Sequence, residues 1–233
     1  MRPPPFPRQD RGFSLVELAV VLVIVALLTG GLLLGVTAQR NAAEVVDARA
    51  RLDAIREALL GYAMANGRLP CPVPGNLPTG NPAAGVAPLP PCDNALQYGV
   101  VPWVTLGVPE VDPWGQRYTY YANSAFTGAL AGGALASFTM ATNGNANVKE
   151  SAGSAANIAA DLPAVVVSHG SRGNGGWRPD GTQVPGAIDD EQENANGNLT
   201  FVSRTIGDSF DDLLTWIAPN ILKAKMVAAG RLP

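Results

Sequence analysis

Hydrophobic and polar positions fall into three patterns along the chain. In residues 13–36 the single charged side chain is Glu17. At ~1.5 Å per residue that run spans roughly 36 Å, enough to cross a hydrocarbon core of about 30 Å. Residues 39–66 contain no proline and are rich in alanine, arginine, glutamate and leucine, all good helix formers. Within them Ala48, Leu52, Ile55, Leu59 and Tyr62 recur at alternating spacings of four and three. They make one apolar stripe, and Arg49, Arg51, Asp53, Arg56 and Glu57 fall off it. The two patterns predict one helix over about residues 13–65, apolar all round in its first half and amphipathic in its second. Asn66-Gly67 and Pro70 mark its end.

The third pattern is short apolar runs between turn residues. Residues 69–91 are dense in proline and glycine and read as a loop laid over the surface. Strands are expected at 98–106, interrupted by Pro102, and at 117–121, after the turn Asp112-Pro113-Trp114-Gly115. Further strands are expected at 135–142, 164–168 and 199–204, with loops at 143–147 and 170–186. The C-terminal part reads as helix: Asp208 or Ser209 caps a segment in which Phe210, Leu213, Leu214 and Ile217 share a face. Pro219 fits the first turn of a second helix carrying Ile221, Leu222 and Met226. The expected class is α+β.

Composition changes this picture little. With 233 residues, the default is one globular region plus an anchor, and 26 glycines and 20 prolines agree with a loop-rich fold. The net charge is −3 and no basic stripe appears, so no nucleic-acid partner is indicated. Residues 1–12 hold four prolines and Arg2, Arg8 and Arg11. They cannot form a helix, and their charge favours a cytoplasmic N-terminus, a signal that Arg40 weakens without reversing.

Glu17 changes the picture more. A carboxylate inside a membrane helix costs about 2.5–3.5 kcal/mol and is a functional hypothesis by default. If the helix starts at Phe13, Glu17 lies roughly 6 Å inside it. A free amine on Phe13 of a neighbouring copy is a natural counter-ion, and it exists only if the chain is cut after Gly12. The run Gly12-Phe13-Ser14-Leu15-Val16-Glu17-Leu18 resembles the cleavage and methylation motif of type IV prepilins and type II secretion pseudopilins. The resemblance implies that prepilin peptidase cuts after Gly12 and that Phe13 is N-methylated. It further implies that Glu17 neutralises a neighbour's N-terminus during assembly. Asp112-Pro113-Trp114-Gly115 is similar to a turn that enters a strand in major pseudopilins.

The implied fold is a long N-terminal helix, membrane half plus amphipathic half, packed on a small antiparallel sheet, with C-terminal helices. The implied organisation is a leader at 1–12, a transmembrane and assembly helix at 13–66 and a periplasmic domain at 67–233. The implied function is a structural subunit of a type IV pilus-like or pseudopilus filament. It would pass once through the inner membrane, with lipid, other pilin subunits and an inner-membrane assembly platform as partners. Alternatives are a minor pilin with an adhesive or cargo-binding role, and a membrane-anchored or secreted enzyme. The last follows if residues 13–38 are an ordinary secretory signal cut after Val36-Thr37-Ala38, although the apolar run exceeds the usual ~7–15 residues.

Cys71 and Cys92 are the only cysteines. In a periplasmic domain they are expected to form a disulfide, with free thiols or a metal pair as the alternatives. Metal ligation is disfavoured because there is no CxxC and only one histidine. That histidine, His169, follows Ser168 at a strand end. The two would point to opposite faces and could not pair directly, and Ser171 does not sit in a G-x-S-x-G context. A structural histidine is expected, and no catalytic residue. Asp189, Asp190, Glu191, Glu193, Asn194 and Asn196 make an oxygen-rich run that could supply calcium ligands, although acidic loops are usually only solvated. No cofactor is otherwise expected.

Overall fold

A computed structural model describes residues 12, 14–92 and 96–233, with the side chains of 29–38 left out. Residues 1–11 and Phe13, hence the leader and the methylation position, lie outside the described residues. The chain divides into two compact units, Met1–Ala43 and Glu44–Pro233.

Helix α1, Leu15–Asn66, belongs in part to each. Its start has a local cause: the backbone N–H of Glu17 donates to Ser14 Oγ at 3.2 Å, and that of Leu18 to Ser14 O at 3.1 Å. Ser14 is therefore the N-cap. Its end also agrees with the sequence. Gly67 takes φ +72°, and a Cβ there would meet Leu135 O at 2.2 Å, so glycine is required.

In the larger unit the stripe is buried. Ala48, Leu52, Ile55 and Leu59 are buried, and Leu60 and Ala63 widen the stripe, while Tyr62 is half-buried. These side chains pack on an antiparallel sheet formed by β1 (Tyr98–Val100), β2 (Thr119–Ala122), β5 (Ala164–Ser168) and β7 (Leu213–Ile217), in the order β1-β2-β5-β7. Helix α5, Pro219–Ala228, adds Leu222 and Met226 to the same core and has proline in its first turn, as expected.

A second sheet lies behind the first. It consists of β3 (Ala146–Lys149), β4 (Asn157–Leu162) and β6 (Thr200–Val202), in the order β4-β3-β6. β3 pairs antiparallel with β4 and parallel with β6. Tyr121, Val165 and Val167 of the first sheet meet Ala146, Val148, Leu162 and Phe201 in a second core. The expectation of one small antiparallel sheet is thus corrected to two sheets, one of them mixed.

Other expectations are corrected too. The segment expected as helix is instead a turn holding Phe210, bridged to Gly207, followed by strand β7 with Leu213, Leu214 and Ile217, so a single C-terminal helix remains. β7 is covered on both faces: Leu213 and Ile217 join the core under α1, while Leu214 and Trp216 pack toward the second core. A strand covered twice loses its period of two, and its apolar spacing can imitate a helix. Residues 135–142 are turns and bends, with Phe138 packed on Phe126 at 4.6 Å between ring centroids. Pro102 ends β1 and is followed by the short helix α2, Trp103–Leu106.

The proline-rich loop is tied down. Cys71 and Cys92 form a disulfide, and Val73 bridges to Val100. Arg117 is fully buried beneath the loop. Its guanidinium donates to the carbonyls of Gly75 (2.9 Å) and Leu77 (2.6 Å), to Pro179 O (3.1 Å) and to Glu110 Oε1 (2.8 Å), and lies 4.7 Å from the Trp103 ring centroid. A loop without its own ladder satisfies its carbonyls through this fork of donors.

Two stability outcomes are expected. Leu59→Ala removes a side chain from the core under α1 and should cost about 2–5 kcal/mol, read as a lower denaturation midpoint with an unchanged slope. Arg117→Met removes the guanidinium donors of the Gly75 and Leu77 carbonyls and leaves Glu110 without its cation, held by Thr79 alone, and should cost about 3–5 kcal/mol. Limited proteolysis should then cut first within residues 72–91.

Candidate functional site

Two places carry candidate chemistry. The first is the start of α1. Leu15, Val16, Leu18, Val20–Val25, Leu27 and Leu28 are 49–87% exposed. They surround the helix, so no side of this stretch is buried among the described residues. Such a surface needs a cover of lipid or of other apolar chains. Among the described residues no helix is long and apolar enough to cross a membrane. Part of the expected span, Phe13 and the side chains of 29–38, lies outside that description. Glu17 is exposed beside Ser14. Ser14-Leu15-Val16-Glu17 has the S-x-x-E form of a capping box, of which the bond to Ser14 Oγ is one half.

The second place is a polar network at the end of β5. Ser168 Oγ donates to Asp112 Oδ2 at 2.7 Å. Asp112 Oδ1 also accepts the N–H groups of Trp114 (3.0 Å) and Gln116 (2.9 Å), which shapes the Asp-Pro-Trp-Gly turn. Trp114 Nε1 in turn donates to Glu44 Oε2 of α1 at 2.9 Å. Burial pushes the Asp112 carboxyl up, and these hydrogen bonds oppose that push. His169 points elsewhere. It is fully buried, with Nε2 2.8 Å from Thr119 Oγ1. Its Nδ1 has no hydrogen-bond partner and lies 3.7 Å from Asp212 Oδ1, which is unpartnered as well. Ser168 and His169 therefore serve different neighbours. No solvent-exposed edge of the imidazole is available to a substrate.

Gly170 turns the chain here at φ +63°, where a Cβ would meet Asp211 O at 2.3 Å. That close approach places Arg172 among acidic groups. Arg172 Nη2 lies 2.5 Å from Glu191 Oε1, Nε lies 3.3 Å from Asp211 Oδ1, and its backbone N–H donates to Asp211 Oδ2 at 2.8 Å. Asn174 Nδ2 donates to Glu191 Oε2 at 3.1 Å, and Ser171 Oγ to Asp211 Oδ2 at 2.9 Å. Asn194 Nδ2 donates to Asp212 Oδ2 at 2.8 Å and to Val202 O at 3.0 Å, and Asn194 Oδ1 accepts Val202 N–H at 2.8 Å.

Glu191, Asp211 and Asp212 are buried, and an oxygen of each lies within 4.8 Å of the others, so these three could hold a metal ion. The guanidinium of Arg172 already neutralises two of them. The network thus works as a clasp that joins β5, β6, β7 and helix α4, Asp189–Ala195.

The run expected as an acidic loop is instead α4 and its flank, and its side chains are held by different partners. Asp190 pairs with Arg204 at 2.9 Å, Glu191 with Arg172, Glu193 Oε2 accepts from Asn198 Nδ2 at 2.7 Å, and Asn196 Oδ1 accepts from Asn198 N at 2.9 Å. The sequence reading missed Arg172, Asp211 and Asp212. The adjacent pair Asp211-Asp212 at the mouth of an apolar run was the available signal.

Residues 7–33 match the family model described as a prokaryotic N-terminal methylation motif, the prepilin-type signature of type IV pilins and pseudopilins. The match ends before the Glu44–Pro233 unit. No curated protein and no solved structure matches the chain. The motif supports a pilin-like subunit, and it implies processing by prepilin peptidase and assembly with other subunits.

The network has a pH signature. Burial pushes the His169 imidazole down to about 4 from its ordinary 6.5, against the opposing field of Asp211. The folded state keeps His169 neutral while the unfolded chain binds a proton below 6.5, so stability falls as pH falls from about 6.5 toward 4. Asp212 acts in the opposite sense: burial raises its carboxyl well above the ordinary value, so its contribution is lost as pH rises. His169→Gln should remove the first effect alone. Between pH 7 and pH 4, urea denaturation should show the original chain losing about 3 kcal/mol more than the variant.

Proposed function

We propose that this protein is a structural subunit of a type IV pilus-like or type II secretion pseudopilus filament. The observation that carries the reading is a methylation motif whose helix exposes apolar side chains on every side with Glu17 as its lone charge. In this reading prepilin peptidase cuts after Gly12, and Phe13 becomes an N-methylated terminus. Residues 13–36 sit in the inner membrane with the leader's arginines cytoplasmic. The Glu44–Pro233 unit faces the periplasm, where a Cys71–Cys92 disulfide is stable.

Assembly then exchanges one apolar surrounding for another, because the helix leaves lipid for a bundle of identical helices. Glu17 is costly in both unless it is paired, and a neighbour's Phe13 amine is the partner that rewards one register. The subunit works mechanically, without catalysis and without a cofactor. The buried position of His169 speaks only against a catalytic role for that residue.

Intact-mass and N-terminal analysis of the mature protein tests the proposal. A methylated Phe13 is expected, while a mature N-terminus at Met1 or Gln39 would overturn it. Glu17→Ala should leave membrane insertion unchanged and reduce filament incorporation at least about tenfold, the effect of losing roughly 1.4 kcal/mol per subunit contact. Wild-type incorporation of Glu17→Ala would sink the pairing mechanism while leaving the processing result to stand by itself.

A further inference from the structure

The four-stranded sheet ends at β7, and the side of β7 away from β5 is bare. Apart from the ladder with β5, no backbone hydrogen bond involves Leu213–Ile217 among the described residues. A groove of about 680 Å³ runs along this edge, lined by every residue from Asp212 to Ala218. Side chains of a strand alternate between faces, so an unbroken run of lining residues means that the groove follows the backbone itself. The opposite wall is α1, through Arg49, Leu52, Asp53, Arg56, Glu57 and Leu60. Natural edges are usually blunted by lysine, proline or a bulge. β7 reads Leu-Leu-Thr-Trp-Ile and pairs with β5 without a register shift, so it has none of these guards.

The charges along the wall are uneven. Arg49 is exposed and makes no ion pair or hydrogen bond among the described residues. About two helix turns further on, Arg56 is shared by Asp53 at 3.3 Å and Glu57 at 3.6 Å, which leaves a surplus carboxylate there. The spare cation and the surplus acid near Glu57 are eight residues apart on the helix, roughly 12 Å. The buried side chains of Leu52 and Leu60 belong to the same wall.

We propose that the β7 edge receives an extended segment of a partner polypeptide as an added strand. The segment carries an acidic residue for Arg49 and a basic residue for the Asp53–Glu57 end, four positions apart on one face, with an apolar residue between them. Four strand residues rise roughly 13 Å, which matches the spacing of the charges on α1. Main-chain hydrogen bonds supply affinity, and the two charges set direction and register.

The test uses the full chain in detergent micelles and a labelled seven-residue peptide, acetylated and amidated, with glutamate second, valine fourth, lysine sixth and threonine elsewhere. Fluorescence anisotropy is expected to show saturable binding. Arg49→Glu should weaken it about tenfold, a typical scale for reversing one charge contact. A peptide with lysine at both charged positions should gain affinity for that variant. A peptide N-methylated on alternate residues should not bind. Absence of binding up to about 1 mM, equal binding of the N-methylated peptide, or indifference to Arg49→Glu would each overturn the assignment. Self-association of the chain that Arg49→Glu abolishes would also overturn it, by giving the edge to a second copy.

Discussion

Burial of β5 on both faces is the constraint on which the larger unit depends. Each residue from Ala164 to Ser168 is buried. Ala164 and Val166 meet the α1 stripe, while Val165 and Val167 meet the second sheet. A strand buried at every residue must have its backbone groups paired on both edges, and β2 and β7 supply that pairing. The helix layer, the sheet and the second sheet are therefore linked through five residues. The polar groups at the end of the same strand, Ser168 and His169, had to find buried partners for the same reason, and Asp112 and Thr119 are those partners.

α1 shows how one regular element can meet two different demands. From Ala48 to Ala63 its apolar residues face one way and are covered by the sheet. From Leu15 to Leu28 they face every way, and the large ones are about half or more exposed among the described residues. The backbone hydrogen bonding is helical throughout, and only the distribution of side chains around the axis differs. That distribution separates a segment that stabilises a fold from one that needs an external apolar partner, which is why the methylation motif and the bare helix point to the same kind of function.

The clasp at Arg172 makes the opposite point about charge. Three buried carboxylates close together would repel one another and resist burial. Arg172, Asn174, Ser171 and Asn194 answer them with donors from two separate stretches of chain. The result fastens the loop after β5, the short helix α4 and the ends of β5, β6 and β7. β7 inherits its position from this clasp, since Asp211 and Asp212 immediately precede it.

Much of this was legible in residue order, and the part that was not has a common cause. The α1 stripe, its stop at Gly67, the Asp112 turn, strand β5 and the proline-led α5 depend on neighbours within a few residues, so their periods and turn chemistry show locally. Strands β3 and β4 do not. Ala146–Lys149 lies in an asparagine- and glycine-rich stretch and becomes a strand because β4 and β6 pair with it on either side. Helix α4 escaped notice because its inward residues, Glu191 and Asn194, are polar, so no apolar stripe marks it. β7 was misread because burial on both faces erased its alternation. The methylation motif is a linear signal, complete in residues 7–33. The Arg172 clasp and the bare edge of β7 exist only where distant segments meet, and no local pattern encodes them.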